Sequence, residues 1–241
     1  MDGILLLEKQ KETNHYQIQS LPINSGVFCL KKDRFQDVVW IGTDGQGVYL
    51  YSNPLYSIKS MVLSNYTEKI ERPVRAIYLD DERTFWVGTK GNGILKIYDY
   101  EFDKNISDCR AEVLTTSNSA LSSNAVYCFA KSHRNLLWIG DEEGLTYYSY
   151  REKRIKSIPI RIGNEDFKYI HDIYETADSE LWLASVGMGV VKARIAGTPD
   201  NPVIVDAQRY IINDGELGSN YFFTIYAENE ANLLFGNKGY G

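Results

Sequence analysis

The sequence predicts an all-β fold, a β-propeller of four-stranded antiparallel blades, and three observations carry that reading. One Trp-centred motif returns about every 48 residues, β-forming runs flank each return, and glycines punctuate its middle. The clearest copies are Trp40-Ile-Gly-Thr-Asp-Gly-Gln-Gly-Val48 and Trp86-Val-Gly-Thr-Lys-Gly-Asn-Gly-Ile94. A third, Trp138-Ile-Gly-Asp-Glu-Glu-Gly-Leu145, is one residue shorter, and a fourth, Trp182-Leu-Ala-Ser-Val-Gly-Met-Gly-Val190, carries Ala for the first Gly. A fifth, Leu234-Phe-Gly-Asn-Lys-Gly-Tyr-Gly241, has no Trp. The anchors stand 46, 52, 44 and 52 residues apart, and all four tryptophans of the chain hold this one position.

Each copy reads as strand, turn, strand. Glycine serves where a hairpin needs positive φ, which a Cβ penalises. Beside the Trp-x-Gly element sits a short polar residue (Thr43, Thr89, Asp141, Ser185 or Asn237) able to accept a hydrogen bond from the turn backbone. An inner strand precedes each anchor by twelve to eight residues: Val74–Tyr78, Val126–Ala130, Ile170–Tyr174 and Phe222–Tyr226, with Val27–Lys31 fitting after one extra residue. An outer strand follows, as at Ser57–Leu63, Ala111–Thr115 and Val203–Arg209. Four strands per unit is the arithmetic of a propeller blade, and a Trp per blade suits the flat apolar gap between sheets. The repeat phase divides the chain into a half-blade (1–20), blades at 21–63, 70–116, 121–160 and 166–211, and a half-blade at 217–241. These are five blade-equivalents. The halves either pair to close a ring or belong to an arc of a larger propeller. The structural motif residues are Trp40, Gly42, Trp86, Gly88, Trp138, Gly140, Trp182 and Gly236.

Bulk composition narrows the function classes. Hydrophobic residues make up 44% and charged residues 24%, ordinary values for a globular chain. A net charge of −6 lacks the basic face that a nucleic-acid partner requires. The one basic stretch, 151–156, reads as a solvated hairpin. No apolar run reaches the roughly 18 residues that span a bilayer, and the N-terminus lacks the cationic region of a signal peptide. Cys29, Cys109 and Cys128 have no metal-ligand spacing, and His15, His133 and His171 do not cluster, so neither metal nor cofactor is expected.

The string Leu-Trp-Ile-Gly-Thr-x-x-Gly, with Leu121-Ser-Ser-Asn-Ala-Val126 and weaker copies at Leu21–Val27 and Leu217–Phe222, resembles the two-component regulator propeller repeat. Blades two and four depart from it in lacking the Leu-Ser-Ser-Asn element. The resemblance implies a periplasmic sensor region of a hybrid histidine kinase of the Bacteroides type, sensing glycan breakdown products. The partners it implies are an oligosaccharide or other small ligand, and other propeller copies or the rest of a receptor chain, with no direct membrane insertion.

Strand starts and hairpin turns share one end of the blades, the default ligand mouth. Eleven residues before each anchor stand Arg75, Tyr127, His171 and Phe223, with Phe28 as the adjusted copy. This position varies between blades, whereas position minus nine is always apolar (Leu30, Ile77, Phe129, Ile173, Ile225) and reads as core. Aromatic, Arg and His side chains suit a sugar, whose CH faces stack while its hydroxyls take hydrogen bonds. The competing reading is that these rings merely pack. At minus ten, Cys29, Ala76, Cys128 and Thr224 suit close packing, and Asp172 is the exception. His171 and Asp172 are therefore candidate binding residues as well.

Catalysis is the first rival. His171 and Asp172, adjacent on a strand, point to opposite faces and cannot form one relay. The pairs Asp80-Asp81 and Glu142-Glu143 read as solvated turn charges, and one inner-strand carboxylate does not make a glycosidase. The glycine-rich turns precede strands, where a phosphate loop needs a helix. The tripeptides at 65–67 and 105–107 match glycosylation acceptors, a pattern common by chance. The second live function is a non-catalytic scaffold for protein–protein contact or receptor dimerisation.

Overall fold

The computed structural model describes residues 3–9, 15–52, 57–61, 63, 70–100, 109–212 and 218–238. The tripeptides at 65–67 and 105–107, Leu217 and the glycines at 239 and 241 lie outside them. A hairpin of β1 (Ile4–Lys9) and β2 (Tyr16–Leu21) opens the chain. The first blade is β3 (Val27–Lys32), β4 (Val38–Thr43), β5 (Val48–Ser52) and β6 (Ser57–Met61). The second is β7 (Val74–Leu79), β8 (Phe85–Thr89), β9 (Ile94–Ile97) and β10 (Ala111–Leu114). The third is β11 (Val126–Lys131), β12 (Leu136–Asp141), β13 (Leu145–Ser149) and β14 (Arg154–Ser157). A short hairpin, β15 (Arg161–Ile162) with β16 (Glu165–Asp166), leads to the fourth: β17 (Ile170–Glu175), β18 (Glu180–Ser185), β19 (Gly189–Thr198) and β20 (Asn201–Tyr210). A last hairpin pairs β21 (Phe222–Asn229) with β22 (Asn232–Asn237). Among the described residues, no helix is long and apolar enough to cross a membrane.

The four blades are antiparallel in chain order, inner strand to outer. Their inner strands β3, β7, β11 and β17, followed by β21 of the last hairpin, neighbour one another in sequence. The first and last hairpins form separate two-stranded sheets, so the ring-closing pairing of the two halves is not made among the described residues.

The core lies in the gaps between sheets, where the tryptophans sit. Trp40, Trp86 and Trp138 are fully buried. Trp40 packs on Phe85 and Tyr100 of the second blade, at centroid distances of 4.3 and 5.0 Å. Trp86 meets Tyr148 of the third blade at 4.8 Å. Such tilted and edge contacts add to the stabilisation from area burial. A buried indole N–H needs an acceptor, and a turn carboxylate supplies it. Trp40 donates to Asp33 and Trp86 to Asp80, both at 2.9 Å, while the other oxygen of each acid accepts turn N–H groups. Asp80 is therefore no solvated turn charge: it is 1% exposed and anchors the Trp.

The turn glycines Gly45, Gly47, Gly91, Gly93, Gly187 and Gly189 adopt positive φ. The glycine after Trp-x has a different cause. A Cβ on Gly42 would meet Cys29 Sγ at 2.4 Å, and one on Gly140 would meet Cys128 Sγ at 2.5 Å and the Ile170 carbonyl at 2.6 Å. Gly88 and Gly236 are equally crowded, by Val126 and Thr224. Gly42, Gly88 and Gly140 let the next blade's inner strand approach, whereas Gly236 is crowded only by its own hairpin partner. Three of the short polar residues that follow cap their turns, while Ser185 donates to the Lys168 carbonyl and Asn237 Oδ1 has no hydrogen-bond partner among the described residues. Thr43 and Thr89 donate their hydroxyls to the Gly47 and Gly93 carbonyls at 2.8 Å, whereas Asp141 accepts from Glu143 and Gly144.

The Leu-Ser-Ser-Asn element is a clip between blades. The Asn124 carbonyl accepts the N–H groups of Gly91 and Gly93, both at 2.9 Å, in the preceding blade's hairpin. Asn220 does the same for Gly187 and Gly189. One expectation fails at the flank: Leu30 at position minus nine is 54% exposed, while Ile77 and Ile173 are buried. The flanking hairpins also expose Leu5, Leu7 and Ile18, and Leu234 on the opposite face, at the Trp position. Among the described residues no further sheet covers these faces.

Candidate functional site

Every inner strand is bulged at the same place. In β3 the register passes from Val27↔Thr43 directly to Cys29↔Gly42, leaving Phe28 without an opposite residue. The same slip isolates Arg75 in β7, Tyr127 in β11, His171 in β17 and Phe223 in β21. A bulge re-aims its extra side chain and sharpens the local twist. All five candidates at position minus eleven are thus the odd residue of a bulge. The bulges lie beside the hairpin turns of the preceding blades, because the inner-strand starts are clipped there.

The bulged side chains form a ladder of two stacked groups across neighbouring strands, Phe28 with Arg75 and Tyr127 with His171 and Phe223. The Arg75 guanidinium lies over the Phe28 ring, 3.8 Å from its centroid. Tyr127 and His171 stack with centroids 4.3 Å apart and planes 14° from parallel. His171 then meets the edge of Phe223 at 5.2 Å. Both ends of the ladder are open to solvent, Phe28 being 41% and Phe223 40% exposed. Burial in this stack pushes the His171 imidazole down to about 4, and the Arg75 cation adds to that. The histidine is therefore neutral at physiological pH, one ring nitrogen donating and the other accepting. Arg75 Nε is shielded from solvent and has no hydrogen-bond partner among the described residues. The ladder can stack apolar faces and offer both donors and acceptors.

Asp172 has another occupation. Its Oδ2 accepts from the Ile225 N–H at 2.7 Å and the Thr224 hydroxyl at 3.1 Å, and its Oδ1 from the Ile173 N–H at 2.9 Å. Burial raises its pKa despite these bonds. The carboxylate ties β17 to β21, with its oxygens already engaged by the fold.

The far end of the inner strands holds a cavity of about 890 Å³ that the sequence reading missed. Arg34 and Lys131 both pair there with Asp81, joining the first three blades, and Arg34 lies over the Tyr78 ring at 5.4 Å. The hydrogen bond from Lys131 chiefly holds the Asp81 carboxyl below its usual range. Its sequence signal is the residue opposite each Trp on the inner strand: Lys31, Tyr78, Ala130 and Tyr174. Arg34, Lys131 and Asp81 satisfy one another there, whereas Arg75 Nε in the ladder has no hydrogen-bond partner among the described residues.

Comparison with known proteins decides the fold. No family model matches the sequence. The β-propeller domain of Cps50 (Swd1) from Myceliophteria thermophila superposes with a TM-score of 0.56 at 14% identity, covering 84% of this chain and 65% of that one. The fold is a β-propeller. The extracellular domain of the hybrid two-component system BT4673 of B. thetaiotaomicron matches this propeller with a TM-score of 0.57 at 16% identity, over 97% of this chain and 37% of its own. PorZ, a surface component of the type-IX secretion system of Porphyromonas gingivalis, matches with a TM-score of 0.65 at 14% identity, over 88% and 31%. In sequence, translation initiation factor 6 of Saccharolobus solfataricus is 31% identical over 140 residues, covering 53% of this propeller chain and 57% of the factor. The chain thus spans little more than half of that relative and under half of the two bacterial surface proteins.

Proposed function

We propose that this propeller is the extracytoplasmic, periplasmic ligand-sensing region of a two-component receptor, and that the bulge ladder recognises an oligosaccharide. The observation that carries the reading is the ladder itself: five bulged residues on adjacent inner strands, drawn from Phe, Arg, Tyr and His, in an order that stacks. A purely structural bulge would accept any residue, and four of these five present an aromatic face. The repeat motif and the shared fold with the extracellular domain of a Bacteroides two-component system support the receptor context. In this reading the propeller is not an enzyme and passes its signal to a kinase outside this chain.

Isothermal titration against an oligosaccharide panel tests the reading. Arg75→Ala and His171→Ala should each weaken a binding glycan by about tenfold, the value of one charged or buried hydrogen bond. Unchanged affinity in both variants removes the ladder from the site. The exposed apolar residues of the flanking hairpins favour a second reading, a scaffold for protein contact. Silence of the whole panel together with a concentration-dependent dimer would support that one.

A further inference from the structure

A second pocket, of about 580 Å³, lies on the propeller's flank between the outer strands of the second and third blades. At its inner end is Lys96, in the middle of β9 and only 4% exposed. Lys96 stands opposite Trp86 on one side and Glu112 on the other. Its ammonium faces three rings, Trp86 and Tyr98 each at 4.6 Å and Tyr148 at 4.2 Å. Its one hydrogen-bond partner among the described residues is the Tyr148 hydroxyl, at 2.8 Å. Glu112 in turn accepts from the Tyr98 hydroxyl at 2.6 Å.

A buried cation normally brings its counter-ion. The fourth blade shows the ordinary solution at the same position: Lys192 lies over Trp182 and pairs with Glu180 at 2.9 Å, in a half-open setting. Lys96 has the rings, and no carboxylate pairs with it among the described residues. Burial lowers its pKa to about 8, opposed by Glu112, Asp80 and Glu82, and Arg110 lowers it further. The pocket also brings Lys153, Arg154 and Lys156 to its rim, and Glu112 is the one acid of its lining. Arg154 and Lys156 pair with Glu152, which leaves the side chains of Lys153 and Lys96 without a carboxylate partner among the described residues.

We propose that this inter-blade pocket is a second binding site, one for a small carboxylate-bearing molecule whose anion supplies the counter-ion that Lys96 lacks. The charge balance of the lining selects an anion. Ser157 adds a polar residue to the lining, while Asn118 and Ser119 are already bonded to the backbone of Thr115 and Val113. The site shares no residue with the ladder and stands whether or not the ladder binds a glycan.

The test uses the whole chain with glucuronate as the anionic probe and glucose as its neutral counterpart. Amide NMR titration should show shifts confined to β9, β10, residues 118–120, β13 and β14 with glucuronate and none with glucose. Lys96→Met, which refills the ring cage with an apolar chain of similar length, should weaken glucuronate about tenfold or more, as loss of a charged partner does. Tyr148→Phe keeps the ring, releases the amine from its hydrogen bond and should weaken binding by a smaller factor. Lys192→Met should leave it unchanged. Equal response to glucose, no glucuronate response, or full affinity in Lys96→Met would each overturn the proposal. If Lys96→Met fails to fold, unaltered binding by Tyr148→Phe overturns it instead.

Discussion

The indole N–H of Trp138 donates to Glu175 Oε2 at 2.7 Å, and the acceptor belongs to the following blade. In the first two blades that acceptor is the Asp of the blade's own turn. The third has Ser132 there, whose hydroxyl caps only the turn N–H of Arg134. Glu175 fills the gap from its neighbour and also lies 3.6 Å from the Arg134 guanidinium. This tie holds the third blade to the fourth. Glu175→Ala should cost about 3 kcal/mol in urea unfolding, because an indole and a guanidinium lose a buried partner. Glu175→Gln, which keeps an acceptor, should cost clearly less. Equal losses in the two variants would show that packing, and not the hydrogen bond, is what matters.

The glycine after Trp-x gives a steric prediction. Gly140→Ala should destabilise by about 2 kcal/mol, since its Cβ would press on Cys128 and the Ile170 carbonyl. Adding Cys128→Ala should recover only part, for the carbonyl remains. Gly26→Ala, whose Cβ would make an ordinary 3.6 Å contact, is the control. Full rescue by the cysteine change would mean the inner strand of the next blade is not the obstacle.

His171 makes stability depend on pH. Its folded pKa of about 4 lies below the ordinary histidine value of 6.5, so the unfolded chain binds more protons between those values. Its contribution is intact above about pH 6.5 and is lost as pH falls toward 4. Asp141, pushed up to about 6 by burial, and Asp172, also raised, act in the opposite sense over part of this window. The informative quantity is the difference between wild type and His171→Phe, which keeps the stack and removes the titration. The variant's stability relative to wild type should rise as pH falls from 6.5 to 4. A flat difference would place the imidazole in open solvent.

Asp172 anchors the last hairpin through the Ile225 N–H and the Thr224 hydroxyl. Asp172→Ala should accelerate hydrogen exchange at the Ile225 amide by about tenfold or more, the equivalent of one charged hydrogen bond. Exchange at Ile77, two blades away, should not change. Uniform acceleration across the chain would instead indicate a global effect.

The blade architecture was legible because it follows from local spacing. A Trp, a crowding glycine and two β runs recur in sequence, and each sheet is built from consecutive strands. The site was legible only in its membership. Phe28, Arg75, Tyr127, His171 and Phe223 share a repeat position, but the bulge that re-aims them depends on cross-strand register, which no single strand encodes. Asp172 drew notice as a lone acid among small residues, yet its partners lie on β21, some fifty residues on. The buried role of Asp80 was hidden for the same reason, since a turn acid looks solvated until the Trp it holds is placed beside it. Leu30 read as core from its apolar repeat, and its exposure depends on what stands beside the first blade. Lys96 carried no signal, because its environment is assembled from two blades.

The most direct test of the central claim is amide NMR mapping of the whole chain with the tightest-binding oligosaccharide of a panel. The ladder account predicts that the largest shifts fall on Phe28, Arg75, Tyr127, His171 and Phe223 and on the hairpin turns beside them. Shifts centred on Arg34, Asp81 and Lys131 at the opposite end of the inner strands would contradict it.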